Sequence, residues 1–249
     1  MINLLISGAN GRMGKKVKEL SKLFPEIKAV CGVDICEDFT NNDFPIYNSF
    51  DTIKENVDVI IDFSAPATLP KILNFIKGKK IGAVLCSTGY TKEDIENINL
   101  ASKENALFRS ANMSLGANVL IELAKAGAKA LYGFDIEIIE KHHNQKVDAP
   151  SGTALMIADG IKSVNNEKVY TYGREGIVGK RNENEIGIHA IRGGNIVGEH
   201  QVIFAGVDET ITLTHQATDR GVFASGALKA ATFLANKTKG LYNMADILK

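Results

Sequence analysis

The chain has 249 residues, 45% of them hydrophobic and 23% charged, which is enough for one large or two modest folded domains and unlike a disordered or fibrous composition. Lys+Arg and Asp+Glu each number 29, so the formal charge is zero; a broad nucleic-acid surface or a polybasic membrane face is excluded, and only a local cationic pocket remains open. Cys31, Cys36 and Cys86 form neither zinc-like pairs nor a disulfide framework, the start "MINLLISGANGRMG" has no basic leader, and no run reaches the roughly 18 apolar residues of a membrane span. The expectation is a cytoplasmic protein with neither a membrane nor a nucleic-acid partner.

From the start to about residue 110, the runs "INLLIS", "IKAVCGV", "VDVIIDF", "GAVLCS" and "ALFRSA" alternate with helical patterns. Their apolarity is continuous rather than alternating, which predicts strands covered on both faces and a Rossmann-like, doubly wound parallel α/β sheet. The first of these strands runs into "GANGRMG", residues 8–14, at the opening of a helix. Gly8, Gly11 and Gly14 suit a tight turn, close backbone approach to a pyrophosphate and helix–strand packing, while Ala9, Asn10, Arg12 and Met13 fill the loop around the helix N-terminus. Asn10 stands where the stricter dinucleotide motif has glycine, and asparagine tolerates left-handed backbone better than most residues.

The second strand ends in Asp34, twenty residues past Gly14, where an acid can bond the ribose hydroxyls of a dinucleotide. Such an acid disfavours a 2′-phosphate, so NADH is expected over NADPH, with Arg12, Lys15 and Lys16 as the nearby cations that could offset it. Cys86, Ser87 and Thr88 follow a later strand, and Ser110, Ala111, Asn112 and Met113 follow the next. Both segments are candidates to flank a nicotinamide, and each could equally be an ordinary strand-to-helix turn.

"SLGANVLIELAKAGAKAL", residues 114–131, has helical spacing and leads into a region of different character. There the run "FDIEIIE" is followed by period-two stretches within 186–215, separated by "RGGN" and "GVDE" turns, which predicts an α+β domain with a mixed, hairpin-rich sheet. Residues 165–185 are expected to be a mobile surface stretch, and the helical C-terminal segment to pack back on the first domain. The division is therefore 1–113, completed by 217–249, as the dinucleotide-binding domain, and 114–216 as the substrate-binding domain.

Within "EIIEKHHNQKVDAPSGTAL", residues 137–155, His142 and His143 end a predicted strand and point to opposite faces, so one of them at most faces a given ligand. "DAPSGTALMIADGI" reads as a helix entered through Pro150 and Ser151, whose Gly152 and Thr153 N–H groups form an anion site with Lys146 nearby. A carboxylate-bearing substrate with a reducible carbon or imine fits: a nicotinamide supplies hydride, and lysine or histidine supplies the proton. A zinc site would need ligands that five histidines and three distant cysteines do not announce, so no metal is expected.

Residues 140–154, Glu140 to Ala154, follow the pattern E-x-H-H-x-x-K-x-D-x-P-S-G-T-A and resemble the signature of the dihydrodipicolinate (4-hydroxy-tetrahydrodipicolinate) reductases. "GANGRMG", "DFSAP" at 62–66, "STG" at 87–89, residues 111–116, "GREG" at 173–176, residues 192–200 and "FASGA" at 223–227 extend the resemblance across the chain. It implies an NAD(P)H-dependent oxidoreductase of lysine and diaminopimelate synthesis that reduces a cyclic, unsaturated dicarboxylic imine to tetrahydrodipicolinate, with loss of water from the hydroxylated precursor. Carried over by residue, it makes His142 the proton donor/acceptor and Lys146 the proton donor, with His143, Gly152 and Thr153 as substrate contacts. It also makes residues 8–13, Asp34, 86–88 and 110–113 cofactor contacts, and it implies a homotetramer assembled through the substrate-domain sheet. Cys86-Ser87-Thr88 and Met113 depart from the family's usual Gly-Thr-Thr and Phe. Arg192 and Arg220 could reach a second carboxylate or serve as structural ion-pair partners. Hinges are expected near 110–116 and 216–221. A different dehydrogenase and a nicotinamide-sensing binding protein remain alternative readings, since fold alone separates none of these classes.

Overall fold

The computed structural model describes residues 1–36 and 43–249. The chain divides into two compact units, Met1–Ser114 with Gly221–Lys249 and Leu115–Arg220.

The first unit is built on β1 (Ile2–Ser7), β2 (Ile27–Val33), β3 (Ile46–Tyr47), β4 (Val59–Asp62), β5 (Gly82–Leu85), β6 (Ala106–Arg109) and β12 (Gly240–Tyr242). Their order is β12-β6-β5-β4-β1-β2-β3, and every pairing is parallel. Leu4–Ile6, Val59–Ile61 and Ala83–Leu85 are fully buried on both faces, which is why their sequences show unbroken apolar runs. One face packs on Leu69, Ile72 and Ile76 of α2 (Leu69–Ile76) and Ile98 of α3 (Lys92–Ala101). α6 (Gly221–Leu234) packs against β4, β5, β6 and α1 (Arg12–Ser21), so the C-terminal segment is part of this unit. Strand order reverses between β1 and β4, the position at which open α/β sheets form a ligand crevice beyond their carboxyl ends.

The second unit has α4 (Leu115–Ala130), β7 (Asp135–His142), α5 (Gly152–Lys162), β8 (Val169–Tyr172), β9 (Glu185–Arg192), β10 (Gly198–Ala205) and β11 (Thr210–Ala217). The sheet order is β11-β10-β7-β9-β8, mixed, with β7–β9 and β8–β9 parallel and β10 antiparallel to both its neighbours. Burial alternates along β7, and its inward residues Ile136 and Ile138 join Leu120, Ala124, Ala154, Ile157 and Ile161 in one core under α4 and α5.

One expectation is corrected here. Among the described residues only β10 and β11 form a hairpin, closed by the Gly206 N–H donating to Glu209 O at 2.8 Å. β9 and β10, on either side of "RGGN", lie on opposite flanks of β7, because β7 has one face in the core and needs a partner along each edge. Residues 165–185 lie almost wholly at the surface, and they contain β8, while Arg174 and Arg181 both donate to Glu137.

Candidate active site

In the first unit, Gly8 adopts φ +77°, and a Cβ there would stand 3.0 Å from Phe63 O at the end of β4. A Cβ on Gly14 would lie 2.1 Å from Gly8 O, so the loop closes onto α1 only with glycine at both places. Gly11 caps α1 without a side-chain hydrogen bond, and Gly11 and Arg12 are exposed, so no side chain of the cap residue competes with an anion for the first-turn N–H groups. Ala9 is buried and Met13 half-buried, so what Ala9 can offer is backbone. Asn10 replaces the motif's glycine with a working side chain: its Nδ2 donates to Cys36 O at 2.8 Å. Asp34 accepts from the Asn10 N–H at 2.8 Å and the Cys36 N–H at 2.9 Å, which fixes the carboxylate beside the loop. A carboxylate has about four acceptor positions, so two remain for ribose hydroxyls.

The same sheet end carries a residue whose role the sequence did not announce. Asp62, the last residue of β4, is fully buried, and its carboxylate accepts from Ser7 Oγ at 2.7 Å, Ser87 Oγ at 2.8 Å and the N–H and hydroxyl of Ser64. The ends of β1, β4 and β5 are thereby tied to one another. Burial and then the Asp62 charge push the Cys86 thiol well above its ordinary pKa, so it stays a neutral thiol beside Ser87. Thr88 is exposed, Ser110 Oγ donates to Asn112 O at 3.0 Å, and Asn112 Oδ1 accepts from the Ser114 N–H at 2.8 Å. Ala111 is exposed at this turn, whereas the Met113 side chain is buried.

In the second unit, β7 delivers Glu140 and His142 to the core side of the sheet. Glu140 is fully buried; its Oε2 is 2.6 Å from His142 Nδ1, Arg192 at the end of β9 grips both its oxygens at 2.8 and 2.7 Å, and the Ser151 N–H donates to it at 3.0 Å. Burial raises its pKa, and the bonds from His142, Arg192 and Ser151 outweigh that and hold it down to about 2. With Glu140 ionised, Nδ1 of His142 must carry the proton, and Nε2 is the atom left to give or take one. A Cβ on Gly198 would sit 3.1 Å from that Nε2, so the glycine at the start of β10 keeps this edge of the ring open. His143, one residue past β7, is half-buried.

Ser151 caps α5, accepting from the Ala154 N–H, and its Oγ is 3.0 Å from His200 Nε2. Gly152 is exposed and Thr153 half-buried in the first turn, as an anion site requires. Burial, then the neighbouring His142, lowers the His200 pKa to about 3, so His200 stays neutral and does not compete with His142 for a proton. Lys146 Nζ pairs with Asp148 Oδ1 at 2.7 Å, and the Asp148 carbonyl accepts from Arg192 Nη2 at 2.7 Å. Arg192 serves as a structural partner through Nη1 and Nη2, which donate to Glu140 and to backbone carbonyls, while its buried Nε has no hydrogen-bond partner among the described residues. Arg220 is exposed at the end of the unit. The structure thus gathers Gly8–Met13 with Asp34 and, through Asp62, with Ser87 in one unit, and His142, Lys146 and the Gly152–Thr153 turn around Glu140 in the other. Among the described residues, no group of three or more His, Cys, Asp or Glu is arranged to hold a metal ion, and no helix is long and apolar enough to cross a membrane.

A doubly wound sheet with a glycine loop after its first strand and an acid after its second, followed by a mixed-sheet unit in which a buried carboxylate holds a histidine, is the frame of a nicotinamide-dependent oxidoreductase. Residues 2–113 match the N-terminal family model of dihydrodipicolinate reductase, and residues 116–248 match its C-terminal model. The chain belongs to the dihydrodipicolinate reductase family. It is 54% identical to the 4-hydroxy-tetrahydrodipicolinate reductase of Caldanaerobacter subterraneus subsp. tengcongensis, over all of this chain and 99% of that one. It is 51% identical to that of Clostridium tetani, over 100% and 97% of the two chains. Among solved structures it is similar to the dipicolinate-bound dihydrodipicolinate reductase of Paenisporosarcina sp. TG-14, with a TM-score of 0.83 and 25% identity over 99% of each chain. The fold also matches scyllo-inositol dehydrogenase of Lactobacillus casei with bound NAD(H), with a TM-score of 0.59 and 12% identity, covering 95% and 88% of the two chains.

Proposed function

We propose that this chain reduces 4-hydroxy-tetrahydrodipicolinate to tetrahydrodipicolinate with NAD(P)H, releasing water, as a step of lysine and diaminopimelate synthesis. The observation that carries this reading is the constellation around Glu140, in which one carboxylate holds both the His142 ring and the capped turn of an anion-binding helix. The glycine loop fits a dinucleotide because a Cβ at Gly8 or Gly14 would clash with neighbouring backbone, so only glycine allows the tight turn at the opening of α1. Residues 8–13 would hold the pyrophosphate, Asp34 the adenosine ribose, and residues 86–88 and 110–113 the nicotinamide end; when bound, the nicotinamide supplies hydride.

The chain's own residues do the rest. The N–H groups of Gly152 and Thr153 hold a substrate carboxylate, with His143 as a further contact, and the Lys146 ammonium neutralises the dianion and can donate the proton that turns the enamine left by hydride addition back into the cyclic imine of the product. His142 exchanges its proton at Nε2. Asp34 favours NADH over NADPH, because its charge opposes a 2′-phosphate. The division of labour follows the units, with the dinucleotide on residues 1–113 and 217–249 and the substrate on 114–216. The chain crosses between units at 114–115 and 220–221, and any rearrangement on ligand binding would be absorbed there. Three free cysteines fit a reducing cytoplasm, and the outward sheet face of the second unit is proposed as the contact of a homotetramer.

The test is oxidation of NADH and of NADPH, followed by absorbance, with freshly made substrate and the variants Lys146→Ala and His142→Gln. Wild-type turnover is expected to fall by about 100-fold or more in each variant while cofactor affinity is unchanged, and NADH is expected to show the higher kcat/KM. A folded, cofactor-binding wild type without turnover would return the chain to a sensor or another dehydrogenase.

A further inference from the structure

Glu140 makes more bonds to functional elements than any role in folding β7 requires. Its two oxygens receive His142 Nδ1 at 2.6 Å, the Ser151 N–H at 3.0 Å and the Arg192 fork at 2.8 and 2.7 Å. Arg192 in turn donates to the carbonyl of Asp148, whose carboxylate pairs with Lys146. The three segments come from positions 140–142, 146–151 and 192, and a single carboxylate joins them. A buried carboxylate in that place would be costly without the guanidinium fork and the N–H donors that surround it, and a neutral residue of similar size would pack there without them. The charge therefore has work to do on its partners.

We propose that Glu140 is the positioning residue of the substrate half: it fixes His142 in the Nδ1–H tautomer, so that Nε2 exchanges the proton, and it holds the Ser151 turn and, through Arg192, the Lys146 loop in register with that ring. The proposal rests on the reading of His142 as a proton carrier. It is the arrangement by which a buried carboxylate orients an imidazole, extended here to the anion-binding turn. The groups that face the ring are Glu140 on its own strand, His200 from β10 at 5.2 Å between ring centres, and the Arg192 guanidinium behind Glu140.

The experiment uses full-length protein labelled with nitrogen-15 in histidine, with the His142 signals assigned by their loss in His142→Gln. In the wild type, neutral His142 is expected to show a protonated Nδ1 and an unprotonated Nε2. In Glu140→Gln the preference for the Nδ1–H tautomer is expected to weaken, because the carboxylate that accepts from Nδ1 is gone, with kcat reduced about 10- to 100-fold and KM raised. Glu140→Asp, which keeps the charge and shortens the reach, is expected to restore the tautomer more than the rate. A wild-type His142 with its proton on Nε2 overturns the proposal, as does a Glu140→Gln protein whose tautomer and kinetics match the wild type. Because the tautomer is read on the wild type without substrate, it decides the matter even where Glu140→Gln fails to fold, and independently of whether the reaction itself is the one proposed.

Discussion

His200 is buried to 4% exposure, and its ring nitrogen is held against Ser151 Oγ, so the folded protein keeps it neutral down to about pH 3. Unfolded, it would take up a proton near its ordinary value of 6.5. Between those values the unfolded chain binds more protons, so stability falls as pH drops below about 6.5. Glu140 and Glu137, both held down to about 2 from 4.5, add a second window: their contribution is complete above 4.5 and is lost as pH falls toward 2. Acid destabilisation should therefore begin with His200 and with His215, whose pKa burial also lowers, and steepen with carboxylates such as Glu137 and Glu140. Urea denaturation from about pH 7 to about pH 5 is expected to show falling stability in the wild type and a flatter dependence in His200→Gln, which has no proton to gain. Equal slopes for the two proteins would show that burial of His200 does not control this window. His142, Glu140, His215 and Lys146 also act on the ring, and burial remains the largest influence.

At the level of elements, the ends of β1, β4 and β5 are held by Asp62, and removing it would leave the hydroxyls of Ser7, Ser64 and Ser87 without their common acceptor. Asp62→Ala is expected to cost about 2–3 kcal/mol in unfolding free energy, and to weaken NADH binding more than Thr88→Ala, as measured by denaturation and by titration of the bound cofactor's fluorescence. Unchanged affinity would mean that the loops hold their shape without it. The strands themselves were legible, because residues such as Val59–Ile61 and Ala83–Leu85 are covered on both faces and read as unbroken apolar runs. β3 and β12 are too short, at 2 and 3 residues, to carry a period, and β8 is half-exposed, so these three escaped. The glycine loop and the 140–154 signature were legible as local spacings. Asp62 with its serines and Glu140 with Arg192 were not, since their partners lie 55, 25 and 52 residues away and only the sheet registers bring them together.

For the whole molecule, the decisive surface is the outward face of the second sheet. α4 and α5 cover the inward face, with Ile136, Ile138, Val202 and Phe204 beneath them. The register places Glu137, Ile139 and Lys141 of β7, Gln201 and Ile203 of β10, and Thr212 and Thr214 of β11 on the other side. The charges there are largely neutralised from within: Glu137 meets Arg174, Arg181 and His189, and Lys141 meets Glu199 at 2.6 Å. A sheet face of threonines and isoleucines whose ion pairs are already closed can be buried against a second copy with little desolvation of unpaired charge. Light scattering of the purified full chain is expected to give the mass of four chains. Ile203→Glu, which sets a new carboxylate directly across from Glu137 on the adjacent strand, should yield smaller species with an unchanged far-UV spectrum if this face is the contact between copies. A wild type with the mass of a single chain would exclude assembly through this face, and a tetramer unaffected by Ile203→Glu would place the contacts elsewhere on the surface.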